Sequence, residues 1–197
     1  MPNATILAAV PAATRDLLFA TVIVWLVLEV RQATQHRPDA TTADHGSRPV
    51  LRVAALVGAG GAIAMSHAAP DAIIASPTAT AWAGLVILWC GVALRAGSFH
   101  TLGRYFTFTV QTSRDQPVVT DGPYRFVRHP SYAAILLAVV GIGVLINNWA
   151  ALAALTGAVA CGLVFRIRIE ERALLQDLGD RYGQYAAAHK RLIPYVW

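Results

Sequence analysis

Residues 118–132 read VVTDGPYRFVRHPSY, a polar and ring-rich segment set between apolar runs. One run precedes it at 81–99, and two follow at 131–146 and 149–165. Two more lie nearer the N-terminus, at 17–30 and 51–69. A membrane-spanning helix needs about 20 largely apolar residues, so the pattern predicts an all-α polytopic membrane protein with about five spans. The first run gains length from residues 12–16. The last two, separated only by Asn147 and Asn148, are expected to form a tight helical hairpin.

Composition agrees. Of 197 residues, 56% are hydrophobic and only 14% charged, and the mean hydropathy is +0.50. Soluble domains carry about 45–50% apolar residues.

Basic residues near short loops collect on the cytoplasmic side of a membrane. Fourteen of the sixteen Lys and Arg fall between the first and second runs or, as Arg52, at the very start of the second, between the third and fourth, or after the fifth. Arg15 stands alone on the other side and Arg95 lies inside the third run. The N-terminus is therefore expected outside and the C-terminus inside, in a bacterial cell membrane. A net charge of +5 spread over juxtamembrane loops is a topology signal and an attraction to anionic lipid; nucleic acid is not an expected partner.

The stretch before the first run has only Arg15 as a basic residue, so that run reads as a permanent anchor rather than a cleaved signal. Cys90 and Cys161 lie in apolar runs without pairing or metal-ligand spacing and are expected to be buried small hydrophobes. Gly58, Gly60 and Gly61 sit inside an apolar span without a preceding strand, which suggests close helix packing, not a phosphate loop. The chain reads as one membrane domain over 1–197, with three helices in 1–99 and a core bearing the polar motifs in 100–197.

From Glu170, the positions Leu174, Leu175, Leu178, Tyr182 and Tyr185 recur at helical spacing beside Arg172, Asp177 and Arg181. This predicts a cytoplasmic amphipathic helix, broken near Gly179 or Gly183. Its apolar face has two possible seats, the bilayer surface or a pocket closed against the segment before the fourth run.

Two clusters hold the polar chemistry. Tyr124, Arg128, His129, Ser131 and Tyr132 surround Pro130, which suits the first turn of a helix because its missing N–H costs nothing there. Free backbone N–H groups at that helix start suit a carboxylate or a ribose hydroxyl; an interfacial belt of Arg and Tyr is the alternative. In the second cluster Arg166 and Glu170 are four residues apart and share a helix face. They read either as a surface ion pair or as a ligand grip, with Glu170 on a cation and the fork of Arg166 on a carboxylate. There is no Ser-His-Asp set and no metal-binding spacing. Of the remaining histidines, His100 alone is placed to face a pocket.

The order of Gln111, the VVTDGPYRFVRHPSY segment, a helical hairpin, RIRIEERALLQDLGDRYGQY and RLIP resembles the isoprenylcysteine carboxyl methyltransferase family over about 99–194. The resemblance implies an integral membrane methyltransferase using S-adenosylmethionine and releasing S-adenosylhomocysteine. Its pocket would lie at the cytoplasmic face, formed by the last two membrane helices and their flanks. Carried over by position, cofactor contacts would be Gln111, Gln116, Pro117, Val118, Val119, Tyr124, His129, Pro130, Ser131, Tyr132 and Glu170, and Arg166 would bind the acceptor. Arg166 and Glu170 are the expected catalytic pair, and no metal is implied. Gln116 stands where eukaryotic members have His, and Ala134 where they have Gly.

The acceptor is expected to be lipophilic, with carboxyl O-methylation favoured over methylation of a lipid amine or small thiol. An NADPH-dependent membrane reductase of the steroid-reductase type and a non-catalytic scaffold are the competing readings.

Overall fold

The computed structural model of the chain describes residues 12–33, 41–42, 46–105, 111–112 and 116–197. It is helical apart from one two-residue antiparallel ladder, in which Thr41 pairs with Thr112 and Thr42 with Gln111. Six α-helices are described: α1 (Ala12–Ala33), α2 (Ser47–Ala68), α3 (Pro77–Leu102), α4 (Pro130–Leu145), α5 (Trp149–Leu178) and α6 (Asp180–Ala188).

Among the described residues α2, α3 and α5 are long and apolar enough to cross a membrane, and α4 is a shorter apolar helix. α1 has 22 residues, about 33 Å at 1.5 Å per residue, with Arg15, Asp16, Glu29 and Arg31 toward its ends. The protein is thus a polytopic integral membrane protein. Its outward faces carry exposed Phe19, Ile23, Leu56, Val57, Val86 and Trp89, as helices solvated by lipid should.

Local sequence sets the helix ends. The Ser76 side chain accepts from Ala79 N at 3.4 Å, capping α3 with Pro77 in its first turn. Pro130 opens α4 in the same way. The α4–α5 turn needs a left-handed residue, supplied by Asn147 at φ 58°, after which Asn148 Oδ1 accepts from Ala151 N at 2.9 Å to cap α5. Asn147 also locks the turn to the α2–α3 loop, accepting from Ala75 N at 3.1 Å and donating to Ala75 O at 3.0 Å. The expected hairpin is present.

Small residues bring the helix backbones together. A Cβ added to Gly84 would lie 2.7 Å from Gly141 O, and one on Gly91 would lie 2.9 Å from Ala134 O, so α3 and α4 touch along their backbones. Ala134 itself is fully buried. Gly58 and Gly61 meet Leu155, Ala158 and Ala154 of α5 as expected, but Gly60 faces open space. Cys90 and Cys161 are exposed on outward helix faces, not buried; on a lipid-facing surface a thiol needs no core to cover it.

α4 has 16 residues and runs antiparallel to α5, so its start lies opposite residues about 16 steps along α5. That alignment sets Tyr132 beside Arg166 and Glu170. α5 continues unbroken for 30 residues, about 45 Å, and outruns a hydrocarbon layer of about 30 Å. The amphipathic helix expected from Glu170 is therefore first the end of α5. The break comes at Gly179, at φ 55°, and only α6 is separate.

Candidate active site

A cavity of about 490 Å³ opens between the start of α4 and the C-terminal part of α5. One wall is the segment Gln116, Pro117, Val118 and Val119 with Tyr124 behind it. A second is the start of α4, with His129, Ser131, Tyr132 and Ile135. α5 contributes Arg166, Glu170, Leu174 and Leu178, and α6 contributes Tyr182 and Tyr185. The far side reaches Arg48, Leu51 and Arg52 of α2, Glu29 and Val30 of α1, and Arg95 of α3. The volume falls within the roughly 300–1,000 Å³ of small-molecule sites.

At its centre Tyr132 Oη accepts from Arg166 Nε at 2.8 Å and donates to Glu170 Oε2 at 2.5 Å. The four-residue spacing on α5 turns both side chains to one phenol. Arg166 is buried at 4% exposure, which removes the surface ion-pair reading, and its Nη1 donates to Ser47 Oγ at 2.8 Å. A buried cation and a half-buried carboxylate are thus held by a neutral hydroxyl between them.

Glu171 works beside this network. Its Oε1 lies 2.9 Å from Arg128 Nη1 and 3.2 Å from His129 Nε2, and its Oε2 accepts from Arg191 Nε at 2.8 Å. The backbone follows the same route: Arg128 N donates to Lys190 O at 2.8 Å and His129 N to Arg191 O at 3.0 Å. The C-terminal segment is therefore stitched to the start of α4. His129 is buried, stacks on Tyr132 with ring centroids 5.6 Å apart, and keeps Nδ1 3.9 Å from Glu170 Oε2.

On the α1 side, buried Arg95 donates through Nε to Glu29 Oε1 at 2.8 Å and through Nη2 to Glu29 Oε2 at 3.2 Å. Its Nη1 donates to the Ser131 carbonyl at 3.1 Å and to the Ser131 hydroxyl. One guanidinium thereby joins α1, α3 and the first turn of α4.

α6 closes the cavity. Leu178, Tyr182 and Tyr185 pack with Val118 and Leu174, and Tyr185 Oη donates to Tyr124 O at 2.6 Å. Of the two seats open to this apolar face, it takes the pocket. Burial pushes the Tyr185 phenol up to about 12, against the pull of Arg128. Burial, and next Glu170, raises Tyr124; burial, and next Glu171, raises Tyr182. All three stay neutral hydroxyls at physiological pH.

Ten of the residues singled out in the sequence line this cavity: Gln116, Pro117, Val118, Val119, Tyr124, His129, Ser131, Tyr132, Arg166 and Glu170. Pro130 is fully buried in the first turn of α4 and is not among the lining residues. Gln111 is described only for its backbone, in the short ladder, and its side chain lies outside the described residues. His100 is exposed at the end of α3 and does not line the cavity; His36 and His45 lie outside the described residues.

Sequence reasoning missed Glu171, Arg95, Glu29 and Ser47 as parts of the site, and left the seat of the Tyr182 and Tyr185 face open between pocket and bilayer surface. A signal existed for Arg95, since an ionisable residue inside an apolar run is a site candidate by default.

The comparisons with known proteins bear on the same region. The family model described as the isoprenylcysteine carboxyl methyltransferase (ICMT) family matches residues 82–176. Protein-S-isoprenylcysteine O-methyltransferase B of Arabidopsis thaliana is 35% identical over 117 residues, covering 57% of this chain and 58% of the relative. A probable protein-S-isoprenylcysteine O-methyltransferase of Oryza sativa subsp. indica is 29% identical, covering 78% of this chain and 86% of the relative. The solved structure of a eukaryotic intramembrane Ras methyltransferase, isoprenylcysteine carboxyl methyltransferase, superposes with a TM-score of 0.55 at 26% identity, covering 75% of this chain and 53% of that one. The chain spans 58% of the length of the Arabidopsis relative. The matched region holds α4, nearly all of α5, and the Arg166–Tyr132–Glu170 network between them, and over it the chain is similar to the isoprenylcysteine carboxyl methyltransferase family.

Proposed function

We propose that the protein is an integral membrane methyltransferase that takes S-adenosylmethionine and methylates the carboxylate of a lipophilic acceptor at the cytoplasmic face. The observation that carries this is the Arg166–Tyr132–Glu170 network. It presents opposite charges 34 to 38 residues from Tyr132 in sequence inside one cavity at the membrane edge.

The residues suit the donor. Glu170 offers a carboxylate to a cationic ammonium, and Val118, Val119 and Tyr124 form an apolar and aromatic wall for a purine. When bound, S-adenosylmethionine supplies a methyl group on a sulfonium, already activated and leaving a neutral thioether. The protein then has only to align the acceptor oxygen in line with that methyl and keep water out. Arg166 meets an acceptor carboxylate with a planar fork and would oppose an ammonium, which favours O-methylation over methylation of an amine. α6 shuts the cavity on its loop side, while the α1 and α2 side gives a lipid acceptor a lateral approach.

We take the cavity end as cytoplasmic because the basic residues gather there, with the N-terminus outside, five spans in all and a bacterial membrane as the setting. Both halves of the chain line the cavity, which supports a single domain over 1–197.

The test is incubation of purified protein with methyl-labelled S-adenosylmethionine and a total lipid extract. A carboxyl methyl ester releases its label as methanol in mild base; an N- or S-methyl product keeps it. Base-stable label would refute carboxyl methylation.

A further inference from the structure

Tyr182 of α6 is 4% exposed and lines the cavity, yet its hydroxyl has no hydrogen-bond partner among the described residues. A buried polar group left unpaired carries a desolvation penalty unless a ligand or water meets it. Arg128 lines the same cavity, and its Nε is also unpartnered among the described residues.

Both orphaned groups are donors. A guanidinium N–H can only donate, and burial, then the Glu171 carboxylate, raises the Tyr182 phenol so that it keeps its proton. Charge points the same way: the carboxylate of Glu171 is shared by Arg128 at 2.9 Å and Arg191 at 2.8 Å, two cations on one anion. Glu171 and Arg191 are not among the lining residues, so Arg128 is the cation presented to a ligand beside Tyr182.

We propose that Tyr182 and Arg128 form the subsite for the carboxylate of the methyl donor's amino-acid tail, with Glu170 facing the ammonium of the same tail. This rests on the S-adenosylmethionine reading and adds which end of the donor lies against α6. Two donors and an acceptor then match the two charges of an α-amino acid group, and the hydroxyl that is unpaired without ligand finds its partner on binding.

The experiment is calorimetric titration of the purified full chain with two ligands. S-adenosylhomocysteine has the amino-acid tail; 5′-methylthioadenosine shares the nucleoside and thioether but lacks it. Tyr182→Phe should weaken S-adenosylhomocysteine about tenfold, the scale of one hydrogen bond to a charged group, and leave 5′-methylthioadenosine unchanged. Its ligand-free melting temperature should hold or rise, since an unsatisfied hydroxyl is removed. Arg128→Lys, which keeps the charge facing Glu171, should show the same selectivity.

Equal weakening of both ligands would assign Tyr182 to the nucleoside and overturn the proposal. Unchanged affinities with a lowered melting temperature would make Tyr182 structural and overturn it too. If the wild-type protein melts cooperatively but binds no S-adenosylhomocysteine, the donor reading itself fails.

Discussion

Tyr132 donates its hydroxyl to Glu170 Oε2 at 2.5 Å across the α4–α5 hairpin, joining the first turn of one helix to the C-terminal part of the other. That bond is why the hairpin turn at Asn147, at the opposite end of both helices, matters to the site: a register shift in α5 would part the pair. Tyr132→Phe removes the shared hydroxyl from both Arg166 and Glu170. We predict a loss of about 1–3 kcal/mol of stability, read as a lower melting temperature, together with weaker binding of S-adenosylhomocysteine.

Arg166→Lys keeps the charge but loses the two-sided grip on Tyr132 and Ser47. Turnover should fall by about tenfold or more, with a raised KM for the acceptor, while affinity for S-adenosylhomocysteine changes by less than about threefold. Kinetics with varied acceptor, beside calorimetry, separate the two effects; equal loss in both would remove Arg166 from the acceptor side.

Glu170 and Glu171 are adjacent, and we predict different tasks for them. Glu170→Gln should weaken S-adenosylhomocysteine about tenfold with a small change in melting temperature. Glu171→Gln leaves Arg128, Arg191 and His129 without their carboxylate and should cost about 3–5 kcal/mol of stability, the scale for breaking a buried pair. Thermal melts of the two variants in the same detergent would reverse this order if the roles were exchanged.

Arg95→Met strands the Glu29 carboxylate against apolar helices, and should destabilise the protein by about 3–5 kcal/mol. Adding Glu29→Gln should recover part of the loss, because the unpaired charge is then gone. A double variant no more stable than the single one would show that the pair does not act as a unit.

Tyr185 has its folded pKa pushed up to about 12 by burial, above about 10 for an unfolded tyrosine. The folded state thus holds the proton more tightly, and its stability is fully present below pH 10 and is lost as pH rises from about 10 toward 12. Melting temperatures measured up to pH 11 should fall less steeply in Tyr185→Phe than in the wild type.

Much of this architecture is legible in the residues. Helices solvated by lipid are apolar over long runs, so the apolar helices and the Asn147–Asn148 turn can be read directly. The four-residue step from Arg166 to Glu170 sets both on one face before any partner is known. Periodicity does not choose between Glu170 and Glu171, because successive helix residues point about 100° apart and both lie beside polar neighbours. Ser47 meets Arg166 across 119 residues, and Glu29 meets Arg95 across 66; no local pattern encodes such pairings. The seat of α6 is likewise tertiary, set by Tyr185 reaching Tyr124 O rather than by the amphipathic pattern alone.

We propose that the cavity around Tyr132 and Glu170 binds the methyl donor. Calorimetric titration of S-adenosylhomocysteine into the purified protein, with NADPH as the comparison ligand, tests it most directly. One binding site per chain is expected for S-adenosylhomocysteine, weakened about tenfold by Glu170→Gln, with no heat from NADPH. Binding of NADPH in place of S-adenosylhomocysteine, or S-adenosylhomocysteine affinity untouched by Glu170→Gln, would contradict it.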